Sequence, residues 1–330
     1  MKSLALSSAA LCLGAITAVV ANPSKRQDSS VCTEIRQRVS WQNLTSTEKA
    51  DYINADLCLM DAPSQLGIEG AVSRWDDLQW PHIFQTVWVH NVGAFLPFHR
   101  YYMTVHERLI RDECGYTGRM PYWDELADLP LMNNSVLWED DAFGPDGAED
   151  NCLVEGSFAN LTQQWAVGGS VSEHCVTRSF NNEIFSSSAP QEYIDECNAI
   201  DNYTEAWVCW SNAPHRAGHN GVGGTMGDPT LSPGDPVFYL HHSYLDKLWW
   251  EWQEANLTAR LTDMGGPNLP TGGNQENAEY PGPEYTDYWG DNGGNITTLN
   301  HVLYMFDIAA NVTIGDIMDI GGDVICSEYL

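Results

Sequence analysis

The sequence predicts a mainly α-helical fold with four helices at its centre. Apolar residues recur with helical periodicity around residues 74–91, 98–113, 203–220 and 236–255. Residues 115–200 are rich in Asn, Asp, Gly and Ser and show little periodicity, which indicates long loops. We therefore expect a central four-helix bundle wrapped by long, cysteine-pinned loops and a few short strands, such as the run from residue 301 to 308.

The first two helical stretches carry four histidines, and three of them are candidate metal ligands. His82 is the only histidine in the first 89 residues, and His90 ends the same helical stretch. His99 opens the second stretch, and a glycine and a proline lie between His90 and His99. Because both residues interrupt helices, a turn should separate the two helices there.

The third helix contains the spacing His-x-x-x-His. Its histidines, His215 and His219, are four residues apart and therefore lie on one face of a helix. They could hold one metal ion together with a third ligand from another element. Helical zinc hydrolases carry a glutamate inside this motif, whereas the intervening residues here are Arg216, Ala217 and Gly218, so a zinc hydrolase is disfavoured.

The fourth helix should begin with Asp235 as N-cap and a proline at the first helical position. Phe238 and His242 are four residues apart and point the same way. His241 points about 100° away on a helix, so His242 is the better ligand candidate. Asp246 shares the face of His242, where it could orient that ring or anchor the helix.

Six histidines in two helical clusters are what two adjacent copper ions require, because imidazole suits copper and three ligands leave each ion open toward the other. The pattern resembles the type 3 copper proteins, which include tyrosinases, catechol oxidases and hemocyanins. The spacing of the first cluster resembles the short fungal polyphenol oxidases. The resemblance also rests on the segment from residue 121 to 124, Pro-Tyr-Trp-Asp, and covers roughly residues 32–330.

The resemblance implies two copper ions, with dioxygen as co-substrate. Copper A would be held by His82, His90 and His99, and copper B by His215, His219 and His242. In the family's Asp-Pro-x-Phe-x-x-His-His segment the second histidine is the ligand, in agreement with His242. The remaining candidates are expected to be ordinary hydrogen-bonded histidines: His106, His174, His241 and His301.

Two features suggest how this chain departs from its relatives. The sequence ends 88 residues after His242 (330 − 242), so we expect no C-terminal shielding domain and no need for proteolytic activation. Several eukaryotic members link a copper-binding histidine to a cysteine two residues before the second ligand. Trp88 stands at that place, and Trp80 stands two residues before His82, so a thioether link is not expected.

Arg216 follows the first copper B ligand, where an asparagine is associated in the family with orienting a water that deprotonates monophenols. A guanidinium cannot accept a proton. Arg216 could contact substrate or turn outward to pair with a carboxylate, and Glu205 could serve as a base through a water. Pro229 stands where the family places a gating side chain, with Leu231 as the alternative after a small loop shift, so the mouth at residues 226–231 should be open.

Three functional classes follow. The first is an oxidase that converts o-diphenols or o-aminophenols to o-quinones or quinone imines, and this is the function that we favour. The second is a true tyrosinase that also hydroxylates monophenols. The third is a non-catalytic dioxygen carrier like hemocyanin, which the short chain disfavours.

The N-terminus has the pattern of a secreted protein. Residues 1–21 resemble a signal peptide, residues 22–26 a short propeptide ending in Lys-Arg, and residues 27–330 a single copper domain. Eight of the nine cysteines remain after cleavage, which suggests disulfides in an oxidising compartment, with 105 possible pairings. Seven Asn-x-Ser/Thr sequons indicate a glycoprotein: Asn43, Asn133, Asn160, Asn202, Asn256, Asn295 and Asn311.

The net charge of the chain limits the classes of molecule that it is expected to bind. The formal net charge is −30 and becomes −33 when Lys2, Lys25 and Arg26 are removed with the leader. Such an acidic surface repels nucleic acid and anionic membranes and favours small neutral or cationic partners. We expect small phenolic substrates, no nucleic acid or membrane partner, and a monomer or weak dimer.

Overall fold

A computed structural model describes residues 32–148, 150–166, 169–270, 291 and 294–330. The predicted mainly α-helical class is confirmed. The helices of the described residues are α1 (Ser46–Asp61), α2 (Arg74–Val89), α3 (Phe95–Cys114), α4 (Asn182–Ser188), α5 (Gln191–Asn198), α6 (Tyr203–Asn212), α7 (Pro214–Val222), α8 (Val237–Glu254) and α9 (Leu257–Arg260). The strands are β1 (Arg36–Ser40), β2 (Met120–Tyr122), β3 (Thr162–Trp165), β4 (Val171–Cys175), β5 (Val302–Leu303), β6 (Val312–Thr313) and β7 (Ser327–Tyr329).

The central bundle is formed by α2, α3, α7 and α8. Helix α3 packs along α8, α2 packs on α3, and α7 packs against α8 and α6. Helix α1 covers the outer side of α2 and α3. The four elements that carry the site histidines thus lie side by side around one large apolar core.

Two of the predicted helices differ in detail. The stretch 203–220 is two helices, because Pro214 has no backbone N–H to donate and begins a new helix, α7. Helix α8 begins at Val237, one residue later than predicted. Asp235 lies just outside it, where its carboxylate accepts the Val237 N–H at 3.0 Å and pairs with Arg178 at 2.8 and 2.9 Å.

Helix α1 was not predicted. It begins with a capping box, in which the Thr45 side chain accepts the backbone N–H of Glu48 and the Glu48 carboxylate accepts the N–H of Thr45. Residues 115–200 were predicted as loops alone, yet they hold α4, α5 and the β3–β4 hairpin among irregular segments. A parallel sheet in the order β2-β1-β7 brings the two ends of the described chain together, and β5 pairs antiparallel with β6.

The eight cysteines expected to remain after processing form four disulfides, so the pairing left open by the sequence is now defined. The pairs are Cys32–Cys326, Cys58–Cys114, Cys152–Cys175 and Cys197–Cys209. In this order, they link the two ends of the described chain, helix α1 to α3, two parts of the segment 115–200, and helix α5 to α6. The residues predicted to form a signal peptide and a propeptide, and Cys12, lie outside the described residues.

Candidate dicopper centre

The first histidine cluster is built by α2 and the start of α3. His82 lies in the middle of α2, His90 is the residue that ends it, and His99 lies in the second turn of α3. The turn predicted between these helices occupies residues 90–94. All three rings are buried, and one nitrogen from each lies within 4.8 Å of the others.

The second cluster is built by α7 and α8. His215 and His219 lie one turn apart on α7, and His241 and His242 come from the second turn of α8. One nitrogen from each of these four histidines lies within 4.8 Å of the others. The cluster thus contains every residue predicted for copper B, and also His241.

The two clusters face each other across a shared aromatic floor. The ring of His99 stacks on the ring of His242 with centroids 4.1 Å apart and planes 10° apart. Phe238 lies beneath both clusters, with its ring centroid 5.2 Å from that of His82 and 4.2 Å from that of His242. The two histidine sets are therefore in direct contact, and each could hold one ion beside the other.

Backbone carbonyls hold the Nδ1 atom of five of the six predicted ligands. The accepting oxygens belong to Thr230, Thr86, Phe95, Ser211 and Met226, and they hold His82, His90, His99, His215 and His219 respectively at 2.6–3.2 Å. Because a carbonyl oxygen can only accept, each Nδ1 carries the proton and Nε2 keeps its lone pair. This orienting bond is what metal-binding imidazoles typically have.

Three of the Nε2 atoms have no protein partner among the described residues, and two others lie next to each other. Those of His82, His99 and His215 are buried and have no hydrogen-bond partner among the described residues. The Nε2 atoms of His219 and His242 lie 3.1 Å apart. Two imidazole nitrogens each about 2.0 Å from one ion, at an angle of about 100°, would be separated by roughly this distance. The donor set fits an ion at each cluster.

Burial keeps these rings neutral, as metal binding requires. Burial, followed by repulsion between the neighbouring rings, lowers the pKa of His82, His215 and His242 well below the ordinary value. Burial lowers the pKa of His90 to about 4. Neutral imidazoles can therefore bind metal over a wide range of pH without losing a proton.

Glu125 is a site residue that the sequence analysis missed. It is fully buried, and its Oε1 lies 2.5 Å from Nδ1 of His241, a ring expected only to be an ordinary hydrogen-bonded histidine. A side chain at Gly218 would place its Cβ about 2.1 Å from the His241 ring, so only glycine lets α7 approach this closely. Glu125 directly follows the Pro-Tyr-Trp-Asp segment, which was the available clue.

Asp246 anchors α8 and does not orient His242. Its carboxylate accepts from Arg100 at 2.5 Å, from Arg38 at 2.9 Å and from the Tyr329 hydroxyl at 2.7 Å. Of the two roles that its position on α8 allowed, the structure thus favours the anchor. Arg100 follows His99 directly, so this buried pair fixes α3 against α8 beside the site.

A cavity of about 300 Å³ opens onto the histidines. We call it the histidine cavity and define it by its lining residues: His90, Ser211, Asn212, His215, Arg216, His219, Asn220, Met226, Gly227 and Pro229. Arg216, one of whose two expected roles was contact with substrate, and Pro229, the expected gating position, both line this cavity. Leu231 lies instead in a small apolar cluster with Ile83 and Trp165.

Glu205 does not line this cavity. It is exposed in the first turn of α6, where its backbone N–H is capped by the Asn202 side chain at 3.0 Å. The proposed role of Glu205 as a base has no support from this position. Arg216 is also exposed, and no carboxylate among the described residues pairs with it.

The other histidines lie apart from the two clusters. His106 pairs with Asp56 at 2.7 Å and His301 with Asp291 at 2.6 Å, both as buried pairs. His174 lies in strand β4, where its Nδ1 donates to a backbone carbonyl.

Comparison with known proteins agrees with this site. Residues 72–255, which include all six predicted ligands, match the family model described as the common central domain of tyrosinase. That match covers more than half of the chain. The chain belongs to the tyrosinase family. It is therefore a member of a family of copper oxidases, and its two histidine clusters fit the family's two copper ions.

Three relatives show how far the similarity extends. Tyrosinase ustQ of Aspergillus flavus is 30% identical over 90% of this chain and 80% of its own length. The N-acetyl-6-hydroxytryptophan oxidase ivoB of Emericella nidulans is 28% identical over 98% of this chain and 99% of its own. A polyphenol oxidase of Thermothelomyces thermophila, solved as the mutant G292N, superposes with a TM-score of 0.74 at 26% identity, covering 90% and 89% of the two chains.

Proposed function

We propose that this protein is a secreted dicopper oxidase that converts o-diphenols, and also o-aminophenols, to o-quinones or quinone imines, with reduction of dioxygen to water. His82, His90 and His99 hold one copper, and His215, His219 and His242 hold the other. The single observation that carries the proposal is the convergence of these imidazoles in two clusters, with the Nε2 atoms of His82, His99 and His215 buried and without a partner among the described residues. Its support is the chain's own geometry together with its family.

The protein's part in this chemistry is positioning. Copper, when bound, supplies the redox chemistry with dioxygen. The carbonyl acceptors behind each Nδ1 hold the rings in one orientation, and Phe238 closes the floor between the clusters. The histidine cavity admits one aromatic ring from solvent to the side of His90, His215 and His219.

The lining of the histidine cavity favours diphenols over monophenols. Hydroxylating a phenol needs a group that takes its proton, whose ordinary pKa is about 10. Among the described lining residues there is no carboxylate, and Arg216 cannot accept a proton. A catechol already carries both hydroxyl groups and needs no hydroxylation, so its oxidation should be the principal reaction.

The alternative function is that of a true tyrosinase, and the descriptions of two relatives are the reason to retain it. One is described as a tyrosinase and another as an N-acetyl-6-hydroxytryptophan oxidase. The second description concerns a hydroxylated aromatic amino acid, a substrate more complex than simple catechol. Both classes use the same histidines, so only the substrate pattern separates them.

The test is oxidation of matched substrates by the copper-loaded protein, with the quinone trapped by an added nucleophile. Catechol and o-aminophenol should give trapped products with dioxygen consumption, while phenol and tyrosine should react much more slowly. Reversible dioxygen binding without consumption would indicate the carrier class instead. Phenol oxidation as fast as catechol oxidation, without a lag, would favour the true tyrosinase.

Secretion is the second part of the proposal. Six of the seven sequon asparagines are exposed, and Asn202 is half-buried, so glycans would have room. Four disulfides suit an oxidising compartment. Within the described ranges, no helix has the length and apolar character needed to cross a membrane. Mass spectrometry of culture medium should find a chain that starts near Gln27 and loses mass on deglycosylation, and an intact leader on that material would contradict it.

A further inference from the structure

The histidine cavity differs in charge from the rest of the chain. The protein carries 45 acidic and 15 basic side chains, which predicts repulsion of anions. The cavity lining reverses this balance, because it contains Arg216 and no aspartate or glutamate. Such a local reversal at the entrance to a reaction centre indicates selection among substrates by charge.

Arg216 is distinctive among the basic residues. Of the twelve Lys and Arg side chains in the described part of the chain, it alone has no carboxylate, carbonyl, hydroxyl or aromatic ring as partner. The other eleven make ion pairs, hydrogen bonds or contacts over aromatic rings: Arg36, Arg38, Lys49, Arg74, Arg100, Arg108, Arg111, Arg119, Arg178, Lys247 and Arg260. A guanidinium left free in so acidic a protein is available to a ligand.

Arg216 lies at the wall of the histidine cavity. It is the third residue of α7 and lies between His215 and His219 in the sequence. Because residues three apart are neighbours on a helix surface, its side chain begins beside that of His219. All three residues line the same cavity. A ligand whose ring reaches the histidines would therefore extend past Arg216 on its way to solvent.

We propose that Arg216 binds a carboxylate on the substrate, so that the preferred substrates are o-diphenols or o-aminophenols with an acidic side chain. This rests on the proposed oxidase function and names the substrate class for it. The planar guanidinium fits a carboxylate through two parallel hydrogen bonds. The proposal reverses the preference for neutral or cationic partners that net charge alone predicts.

The first test compares three substrates that differ in charge beyond the ring. They are 3-(3,4-dihydroxyphenyl)propanoate, its methyl ester, and 2-(3,4-dihydroxyphenyl)ethylamine. For the copper-loaded protein, kcat/KM should be highest for the acid, and about fivefold higher than for the ester, as expected for one partly exposed charge pair. Most of the difference should lie in KM, because the contact is the same before and during the reaction.

Three variants locate the effect. Arg216→Gln should abolish the preference for the acid over the ester, and Arg216→Lys should restore part of it. Arg119→Gln is the matched control, since it removes the same charge from a half-buried pair with Glu48 that does not line the cavity, and it should leave the preference intact. Equal kcat/KM for acid and ester, or an unchanged ratio in Arg216→Gln, would overturn the proposal.

A binding measurement separates this proposal from the oxidase function itself. Calorimetry of 3-phenylpropanoate, which has no hydroxyl to oxidise, should give a Kd about fivefold lower than that of 3-phenylpropanamide, and Arg216→Gln should remove the difference. If the acid binds in this way but no catechol is turned over, the proposed function fails and the carboxylate site stands. If catechols are turned over and acid and amide bind equally, the carboxylate site fails alone.

Discussion

At the scale of single residues, helical spacing indicated the ligands of the second cluster, because a helix fixes which side chains share a face. The ligands of the first cluster followed from the resemblance to the short fungal polyphenol oxidases. The i, i+4 relation brought His215 and His219 together as expected. Glu125 could not be found in that way, since its contact with His241 joins residues 116 positions apart. The periodicity of a helix gives no information about contacts between residues so far apart in the sequence.

The choice between His241 and His242 gives the first prediction. His241 is held through Nδ1 by Glu125, while Nε2 of His242 lies 3.1 Å from that of His219. Replacing His242 with alanine should therefore leave a folded protein that has lost most of its second copper, as measured by metal analysis. The matched variant His241→Ala should keep more copper. If His241→Ala lost more copper than His242→Ala, the ligand on α8 would be His241.

Arg216 gives the second prediction, which concerns the reaction type. An asparagine amide can accept a hydrogen bond from a water, whereas a guanidinium can only donate. Arg216→Asn should therefore raise the rate on phenol relative to that on catechol several-fold, with Arg216→Ala as the control for loss of charge and bulk. A ratio that does not rise, or that rises equally in Arg216→Ala, would show that the amide plays no part.

At the scale of elements, the site depends on how α3 and α8 are held together. Arg100 is adjacent to His99, and Asp246 lies one turn beyond His242, so their ion pair aligns a ligand from each cluster. The motif suggested that Asp246 matters, but only the fold shows that its partners come from β1, α3 and β7.

The third prediction is that Asp246→Asn destabilises the protein. The change removes the carboxylate that pairs with the buried guanidinium of Arg100 and one of the two that pair with Arg38, which keeps Glu107 at 3.6 Å. Leaving a buried charge unpaired typically costs about 3 kcal/mol or more. Urea unfolding with and without copper measures it. The control is Glu251→Gln on the exposed face of the same helix, which should cost less than about 1 kcal/mol. Equal stabilities of the two variants would remove the anchoring role.

Element boundaries show where sequence patterns stop being informative. The apolar pattern of residues 203–220 predicted one helix and did not reveal the break at Pro214 between α6 and α7. Helix α1 carries a capping box that marks its start, but its polar composition hid its periodicity. Disulfide pairing was open in principle, because spacing does not constrain which cysteines meet.

At the scale of the whole molecule, the chain concentrates buried neutral histidines inside an acidic protein. Composition could give the net charge, but not that seven imidazoles lie together in two clusters. The fourth prediction follows from that burial. The folded pKa of His90 is about 4, below its ordinary value of 6.5, so between these values the unfolded chain binds more protons than the folded one.

Stability of the copper-free protein should therefore fall as pH falls through this range. His90 alone contributes a loss of about 2 kcal/mol between pH 7 and pH 5. Urea unfolding at the two pH values measures it, and the copper-loaded protein should depend less on pH because bound imidazoles are not free to take protons. A copper-free protein equally stable at both pH values would contradict the expectation.

The most direct test of the central claim is metal content measured together with dioxygen uptake on the same purified sample. We predict two copper ions per chain, with rapid dioxygen uptake on catechol and much slower uptake on tyrosine. His99→Ala should lose both copper and dioxygen uptake. One copper per chain at full activity, a different metal in the active protein, or two copper ions without catechol oxidation would contradict it.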